Sequence, residues 1–332
     1  MTIALLLILL AALTGYALLG GADFGGGFWD LVAGGARRGR PQRALIEHSI
    51  GPVWEANHVW LIFAMVLLWT GFPAVFAAVA STMYIPLTLA ALGIIGRGAG
   101  FAFRKASTTP GRQRLFGALF AFSSVVTPFF LATVAGGVAS GRVPPGIAAG
   151  NLVTSWLNPT SVALGLLAVG VCGYLAATFL TRDAQHSAPE LVAPFRRRAL
   201  VSGVGCGVLA AVALLAVARD APHLTRRLLH GPGGALVVLS AGAGVVSLVL
   251  LYFRRYLAVR VTAGVASAAV LWGWGIAQYP YLLPPTTTVT DAAAVPAVLQ
   301  VTLWVVAVGA VVLIPSLWWL FAIFQRDRAP GR

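Results

Sequence analysis

Three carboxylic acids and one histidine lie in or beside the first two hydrophobic segments of this chain. They are Asp23, Asp30, Glu55 and His58, in a sequence that contains only nine acidic residues. An ionisable side chain inside lipid is costly and therefore usually serves a function. Carboxylates and an imidazole can each accept and release a proton. A row of such groups predicts a route for proton uptake into the membrane.

The spacing of these groups predicts their order along that route. Glu55 and His58 are one turn apart on the same face of a helix. Asp23 lies about 14–20 Å inside the first segment, at 1.5 Å per residue, and Asp30 lies near the cytoplasmic mouth. The alternative explanation for a buried Asp23 is static pairing with Arg97, at the cytoplasmic end of the third segment.

Two metal-binding interpretations have less support. Glu55-x-x-His58 has the spacing of a di-iron ligand pair, but such a site needs a second pair and two further glutamates, which the sequence lacks. His48 and His58 are candidate axial haem ligands, although no pattern pairs them across helices. Cys172 and Cys206 lie in apolar segments and are interpreted as packing residues. We expect no metal and no cofactor bound by this chain alone.

The elements that must hold these side chains are membrane helices. Hydrophobic residues make up 59% of the chain and charged residues 10%, which excludes a soluble globular protein, in which about a quarter of residues are charged. Runs of about 20 apolar residues cross the hydrocarbon core. They predict an all-α polytopic membrane protein with nine transmembrane helices, forming a single integral membrane domain over residues 1–332. The predicted helices cover residues 3–32, 53–72, 76–100, 115–139, 158–180, 199–218, 234–253, 258–279 and 297–324.

The net charge of +14 indicates the orientation of the chain in the membrane rather than nucleic-acid binding, because the basic residues fall in short connections between apolar runs. Alternate connections hold 19 of the 23 lysines and arginines. This asymmetry predicts a multi-pass protein of the cell membrane, in contact with lipid, with its N-terminus outside and its C-terminus in the cytoplasm. The first segment lacks a basic n-region and a cleavage site, so we expect it to be a retained helix. The basic connections are residues 37–43, 97–114, 182–198, 254–260 and 326–332.

Three motifs and two shorter segments carry a family resemblance. They are Gly-Ala-Asp-Phe-Gly-Gly-Gly at 21–27, Ile-Gly-Pro-Val-Trp-Glu-Ala-Asn-His-Val-Trp-Leu-Ile at 50–62, Arg-Gly-Ala-Gly-Phe-Ala-Phe-Arg at 97–104, and the segments 279–285 and 314–324. In these residues the chain closely resembles subunit II of the cytochrome bd quinol oxidases, including the cyanide-insensitive branch. The likeness follows the whole chain in order and length.

The resemblance implies an architecture and a partner. It implies two four-helix bundles plus one peripheral helix, in a heterodimer with a larger subunit I that carries haem b, haem d and the quinol site. The complex would be a terminal respiratory oxidase that oxidises quinol and reduces O2 to water, with this chain as the non-haem subunit. A small accessory subunit and a bound quinone are further partners that the resemblance leaves open.

The resemblance also implies roles for individual residues. Asp23 and Glu55 would belong to a proton path, and Trp60 would border an oxygen route. The chain departs from the family at Ala102, where relatives commonly have an acid, so a proton route through that position is not expected here. Two alternatives stay open: a proton-coupled secondary transporter, which also uses buried acids, and a purely structural subunit whose acids pair statically.

Overall fold

The chain folds almost entirely into helices. The computed structural model describes residues 1–35, 37–51 and 54–326, so Pro52 and Val53 of the second predicted segment and the tail 327–332 lie outside the described residues. Helix α1 contains a π-helical turn at Tyr16–Gly20. The helices are α1 (Thr2–Leu31), α2 (Arg40–Ile50), α3 (Trp54–Gly71), α4 (Pro73–Thr82), α5 (Tyr84–Ala106), α6 (Pro110–Ala139), α7 (Pro159–Ser187), α8 (Val192–Asp220), α9 (Pro222–Leu229), α10 (Gly234–Tyr252), α11 (Tyr256–Gln278) and α12 (Pro296–Arg326).

The helix lengths confirm an all-α polytopic membrane protein. In the described part of the chain, eight helices are long and apolar enough to cross a membrane, and a ninth is reached when α2 and α3 are counted as one span. Between α11 and α12, the strands β1 (Tyr281–Leu283) and β2 (Thr287–Thr288) pair in an antiparallel hairpin. The grouping of the helices into two bundles and a peripheral helix stays a prediction.

The third predicted helix, 76–100, differs from the structure. It is divided into α4 and α5, because the backbone leaves the helical region at Met83 (φ −101°, ψ 24°). Pro86 stands in the first turn of α5, where a missing N–H costs nothing and a new helix can begin. The short helices α2 and α9 lie in connections for which the hydropathy pattern predicted no helix.

Helix α7 lies at the centre of the molecule, because small residues let its neighbours approach closely. A Cβ at Gly25 of α1 would overlap the carbonyl of Cys172 and would lie 2.7 Å from the Cβ of Ala176. A Cβ at Gly27 would likewise overlap the side chain of Ser124 on α6. Close backbone approach of this kind is typical of helix packing in membranes. The second half of α1 is therefore held between α6 and α7.

The two ends of the molecule are closed by different contacts. At one end, Arg142 donates two hydrogen bonds of 2.5 Å to the carboxylate of Asp220, which also accepts one from Thr160. The hydrogen bonds that Arg142 donates to Asp220 raise the pKa of its guanidinium further above its usual range. At the other end lie Asp30 and Arg104. The ends of α6, near Arg104 and Arg142, are about 45 Å apart at 1.5 Å per residue.

Candidate functional site

Asp23 is a buried carboxylic acid in α1, with 5% of its surface exposed. Asn57 of α3 donates a hydrogen bond from Nδ2 to Asp23 Oδ2, with a distance of 2.5 Å. The same nitrogen lies 3.4 Å from the carbonyl oxygen of Leu19. A buried carboxylate needs polar partners to offset its lost hydration. Asn57 provides one such partner from a neighbouring helix.

The backbone just before Asp23 is wider than a regular α-helix. The N–H of Gly21 donates to the carbonyl of Tyr16, five residues earlier, in the pattern of a π-helical turn. Such turns are rare and are often found at functional sites. The turn sets the direction in which the second half of α1, with Asp23, continues.

Arg97 is the second buried charge of the site, with 1% of its surface exposed. Its guanidinium lies between two aromatic rings, 5.0 Å from the centroid of Phe24 and 5.3 Å from that of Phe120. Its Nε donates to Ser124 Oγ at 3.2 Å. Arg97 and Asp23 interact electrostatically, but no direct ion pair joins these two described side chains. The aromatic faces stabilise the cation in addition to any attraction by the carboxylate.

His58 lies beside the same aromatic group. Its ring centroid is 6.0 Å from that of Tyr16 and 5.8 Å from that of Phe24, which follows Asp23 in the chain. Its Nδ1, Tyr16 Oη and a terminal nitrogen of Arg97 are buried and have no hydrogen-bond partner among the described residues. The structure thus brings His58, a residue of the predicted path, and Arg97, the residue expected for static pairing, to the aromatic surroundings of Asp23.

Trp60 closes the site on the side of the first half of α1. Its ring lies 3.1 Å from the position that a Cβ of Gly15 would occupy, so glycine allows this contact. Trp60 also packs against the buried cluster of Tyr16, Phe24 and Cys172. Its assignment to an oxygen route stays a prediction.

Asp30 is held by two arginines. Arg43 Nε lies 2.6 Å from Oδ1, and Arg104 NH1 lies 2.5 Å from Oδ2. Asp30 is 5% exposed, and the arginines come from α2 and α5. Both carboxylate oxygens therefore accept from guanidinium donors, and protonation of the carboxylate would weaken both ion pairs. This arrangement is that of an anchor between three helices.

Glu55 does not join the buried group. Its side chain is exposed in the first turn of α3, whereas Asn57, two residues later, is buried. The two residues point in different directions because residues two apart do not share a helix face. Ala102, where the resemblance would imply an acid, is also exposed.

Three residues of the site were not singled out from the sequence. They are Asn57, Tyr16 and Arg43, which is one of the two arginines that bind Asp30. Asn57 lies between Glu55 and His58 in the most specific motif, and its uncharged amide did not attract attention in a search for titratable groups. Arg43 could have been found by asking which cations balance Asp30. No pattern in the sequence predicts the π-helical turn that contains Tyr16.

The described residues offer little for a metal or haem. No group of three or more His, Cys, Asp or Glu side chains in that part of the chain is arranged to hold a metal ion. His48 is exposed and lines an open depression of about 540 Å³ together with Ala44, Glu47, Gly51 and Lys105. Haem sites are enclosed and mostly apolar, so this charged depression does not fit a haem.

Comparison with known proteins shows extended similarity to one family. The model of the cytochrome bd terminal oxidase subunit II family matches residues 1–324. The cytochrome bd-I ubiquinol oxidase subunit 2 of Escherichia coli K12 is 27% identical over 363 aligned residues, covering 95% of this chain and 92% of that one. The cytochrome bd ubiquinol oxidase subunit 2 of Bacillus subtilis 168 is 29% identical over 228 residues, which cover 66% of this chain and 64% of that subunit's length.

The fold is also similar to a solved structure. A chain of the bd oxidase from Geobacillus thermodenitrificans superposes with a TM-score of 0.78 and 23% identity, covering 97% of this chain and 98% of that one. At this identity the match supports the helical fold and its order, and the roles of single residues rest on the geometry described above.

Proposed function

Because this chain belongs to the cytochrome bd terminal oxidase subunit II family, we propose that it is the non-haem subunit of a membrane-bound quinol oxidase that reduces O2 to water. The observation that carries the proposal is the family match over residues 1–324, nearly the whole chain. Two relatives with aligned sequence are named as subunits of ubiquinol oxidases. The chain would act as one integral membrane domain.

The proposed partner is a larger subunit I that holds haem b and haem d and binds quinol. The two histidines considered as haem ligands support that division, since His48 is exposed and His58 lies among aromatic side chains. Long apolar faces on α8 and α12 are exposed and would be covered by lipid or by other subunits of the complex, such as a small accessory subunit; examples are Val204, Val208, Val305 and Val308.

This chain's own contribution would be to take up protons. Reduction of O2 to water consumes protons, and a buried carboxylate is a group that can pass them through a low-dielectric region. Asp23 has the required burial and lies about 10 Å along α1 from Asp30, at 1.5 Å per residue. His58 packs against Phe24, the residue after Asp23, and would be a second proton acceptor. Exposed Glu55 would meet protons before they reach the interior.

The proposed path therefore differs from the predicted one at its cytoplasmic entrance, where Asp30 is no longer a proton carrier. We assign Asp30 to holding α1, α2 and α5 together at the entrance, because both of its oxygens are occupied by arginines. The end of the molecule with Asp30, Arg43 and Arg104 would face the cytoplasm, in agreement with the excess of basic residues in those connections.

A tag on this chain tests the proposed function. After purification in mild detergent, the account expects a larger partner subunit, haem bands in the reduced-minus-oxidised visible spectrum, and oxygen consumption driven by quinol. Expression of this chain without the partner should give none of the three. A purified chain with no haem partner that instead moves a solute with protons would contradict the proposal and favour a transporter.

A further inference from the structure

Asn57 is the polar side chain of α3 that contacts Asp23. It is 4% exposed, while Glu55 before it is exposed and His58 after it is half-buried. Its position on the helix, rather than its polarity, directs it into the molecule. Burial of an amide without a hydrogen-bond partner would be costly. Its burial is offset by the acceptors that it meets.

The amide of Asn57 reaches two acceptors on α1. Nδ2 carries two hydrogens, and the two acceptors near it are Asp23 Oδ2 at 2.5 Å and the Leu19 carbonyl at 3.4 Å. The first distance is that of a short, strong bond to a charged group, and the second is that of a weak contact. Leu19 belongs to the π-helical turn. One side chain of α3 therefore contacts both the carboxylate and the wide turn that precedes it.

An amide neither gains nor loses a proton at physiological pH, so Asn57 itself does not carry the transferred proton. A carboxylate oxygen that accepts an N–H bond is the less favourable place for an added proton, because the donor already occupies one of its lone pairs and withdraws electron density from it. We infer that Asn57 is a positioning residue that holds Asp23 Oδ2 and leaves Oδ1 as the oxygen that binds and releases the transferred proton. This inference rests on the proposed role of Asp23 in proton uptake.

The step itself is a simple proton transfer. A proton donated by a hydronium ion or a neighbouring acid forms a bond to a lone pair of Asp23 Oδ1 as its bond to the donor breaks, which makes the carboxyl group neutral and lowers the charge of the donor by one unit. Release to the next acceptor restores the carboxylate. The bond from Asn57 to Oδ2 persists in both states, so the carboxyl group keeps its orientation and no rearrangement is needed for each proton.

Infrared spectroscopy of the purified complex tests the inference. The carboxyl band of Asp23 is identified in pH-induced difference spectra by its loss in Asp23→Asn. In Asn57→Leu, which removes the donors at similar volume, the account expects this band to move to higher wavenumber and quinol-driven turnover to fall about tenfold. The control is Ser247→Ala, which removes a buried hydrogen bond to Tyr174 on α7 and should change neither readout.

A double variant distinguishes positioning from a structural effect. If Asn57 acts through Asp23, adding Asn57→Leu to Asp23→Asn should lower turnover no further than Asp23→Asn alone, whereas independent structural effects would add. An Asp23 band that keeps its position in Asn57→Leu would overturn the inference. Should Asn57→Leu not assemble, Asn57→Ser keeps one donor and should give a smaller shift, with an unshifted band again contradicting the inference. Wild-type turnover in Asp23→Asn would instead refute the proton path, and the Asn57 band shift would still report the contact.

Discussion

Asn57 and Asp23 form a buried hydrogen bond of 2.5 Å between α3 and α1. This contact connects the glycine-rich motif at 21–27 with the motif at 50–62, which contains two tryptophans. The two motifs are separate in the sequence but adjacent in space. Because Arg97 of α5 also interacts with Asp23, the acid meets polar groups from two other helices, α3 and α5. The site therefore depends on how α1 packs between its neighbours.

We predict that Gly25→Ala lowers the stability of the complex. The added methyl group would overlap the backbone carbonyl of Cys172, which cannot move as a flexible side chain can. Overpacking of this kind costs about 1–3 kcal/mol, so the temperature of thermal inactivation should fall. Thermal inactivation of quinol-driven oxygen consumption measures the effect.

Gly21→Ala is the matched control on the same helix. Its methyl group would be 3.6 Å from both Cys172 Sγ and a methyl carbon of Leu175, which is ordinary van der Waals contact. We expect the thermal inactivation temperature of this variant to stay close to that of the wild type. Equal losses in the two variants would contradict the close approach of α1 and α7 at Gly25.

We predict that Asp30→Ala destabilises the end of the molecule where α1, α2 and α5 meet. The substitution leaves Arg43 and Arg104 facing each other without their shared carboxylate. Removing one partner of a buried pair costs about 3–5 kcal/mol, and partial exposure of these arginines places the expected loss of unfolding free energy at the lower end. Protease cleavage in the connection after α1 is a suitable measurement.

The single variants Arg43→Gln and Arg104→Gln test the same anchor. Each leaves one ion pair to Asp30, so each should have a smaller effect than Asp30→Ala. Turnover per assembled complex should change little in both, because we assign Asp30 a structural role. A strong loss of turnover in a fully assembled Arg104→Gln complex would argue against that assignment.

At the opposite end, Arg142→Gln should lower thermal stability by about 1–2 kcal/mol, because it removes charge-assisted hydrogen bonds to Asp220. The neighbouring exposed Arg219→Gln serves as its control, since exposed charges contribute little to stability. The two variants are compared by thermal inactivation. Equal stability of the two would contradict a bidentate contact in the assembled protein.

The class of the fold follows from hydropathy, because a membrane helix must satisfy its own backbone and be apolar over its whole length. The breaks are harder to predict. Met83 divides one apolar run into α4 and α5, although its neighbours Ser81, Thr82 and Tyr84 interrupt the hydrophobicity of that run only briefly. A window that averages over about 20 residues does not detect a single change of backbone direction.

The site was predicted only in part, because the sequence pattern does not show the direction of each side chain. A search for ionisable groups finds Asp23, which is buried, and His58, whose ring packs against Tyr16 and Phe24. It also finds Asp30, which lies in an ion-pair cluster, and Glu55, which lies on the surface. Which way each side chain points depends on helix rotation, and this is set by packing at residues such as Gly25. The partner of Asp23 is a neutral amide, and no charge pattern marks it.

The most direct test of the central claim is the turnover of the purified complex carrying Asp23→Asn, compared with wild type and with Glu190→Gln, an exposed acid outside the site. Quinol-driven oxygen consumption and proton uptake are measured together, with the haem spectrum as a check of assembly. The account predicts an unchanged spectrum and a loss of about tenfold or more in both rates for Asp23→Asn alone. Wild-type rates in a fully assembled Asp23→Asn complex would contradict it.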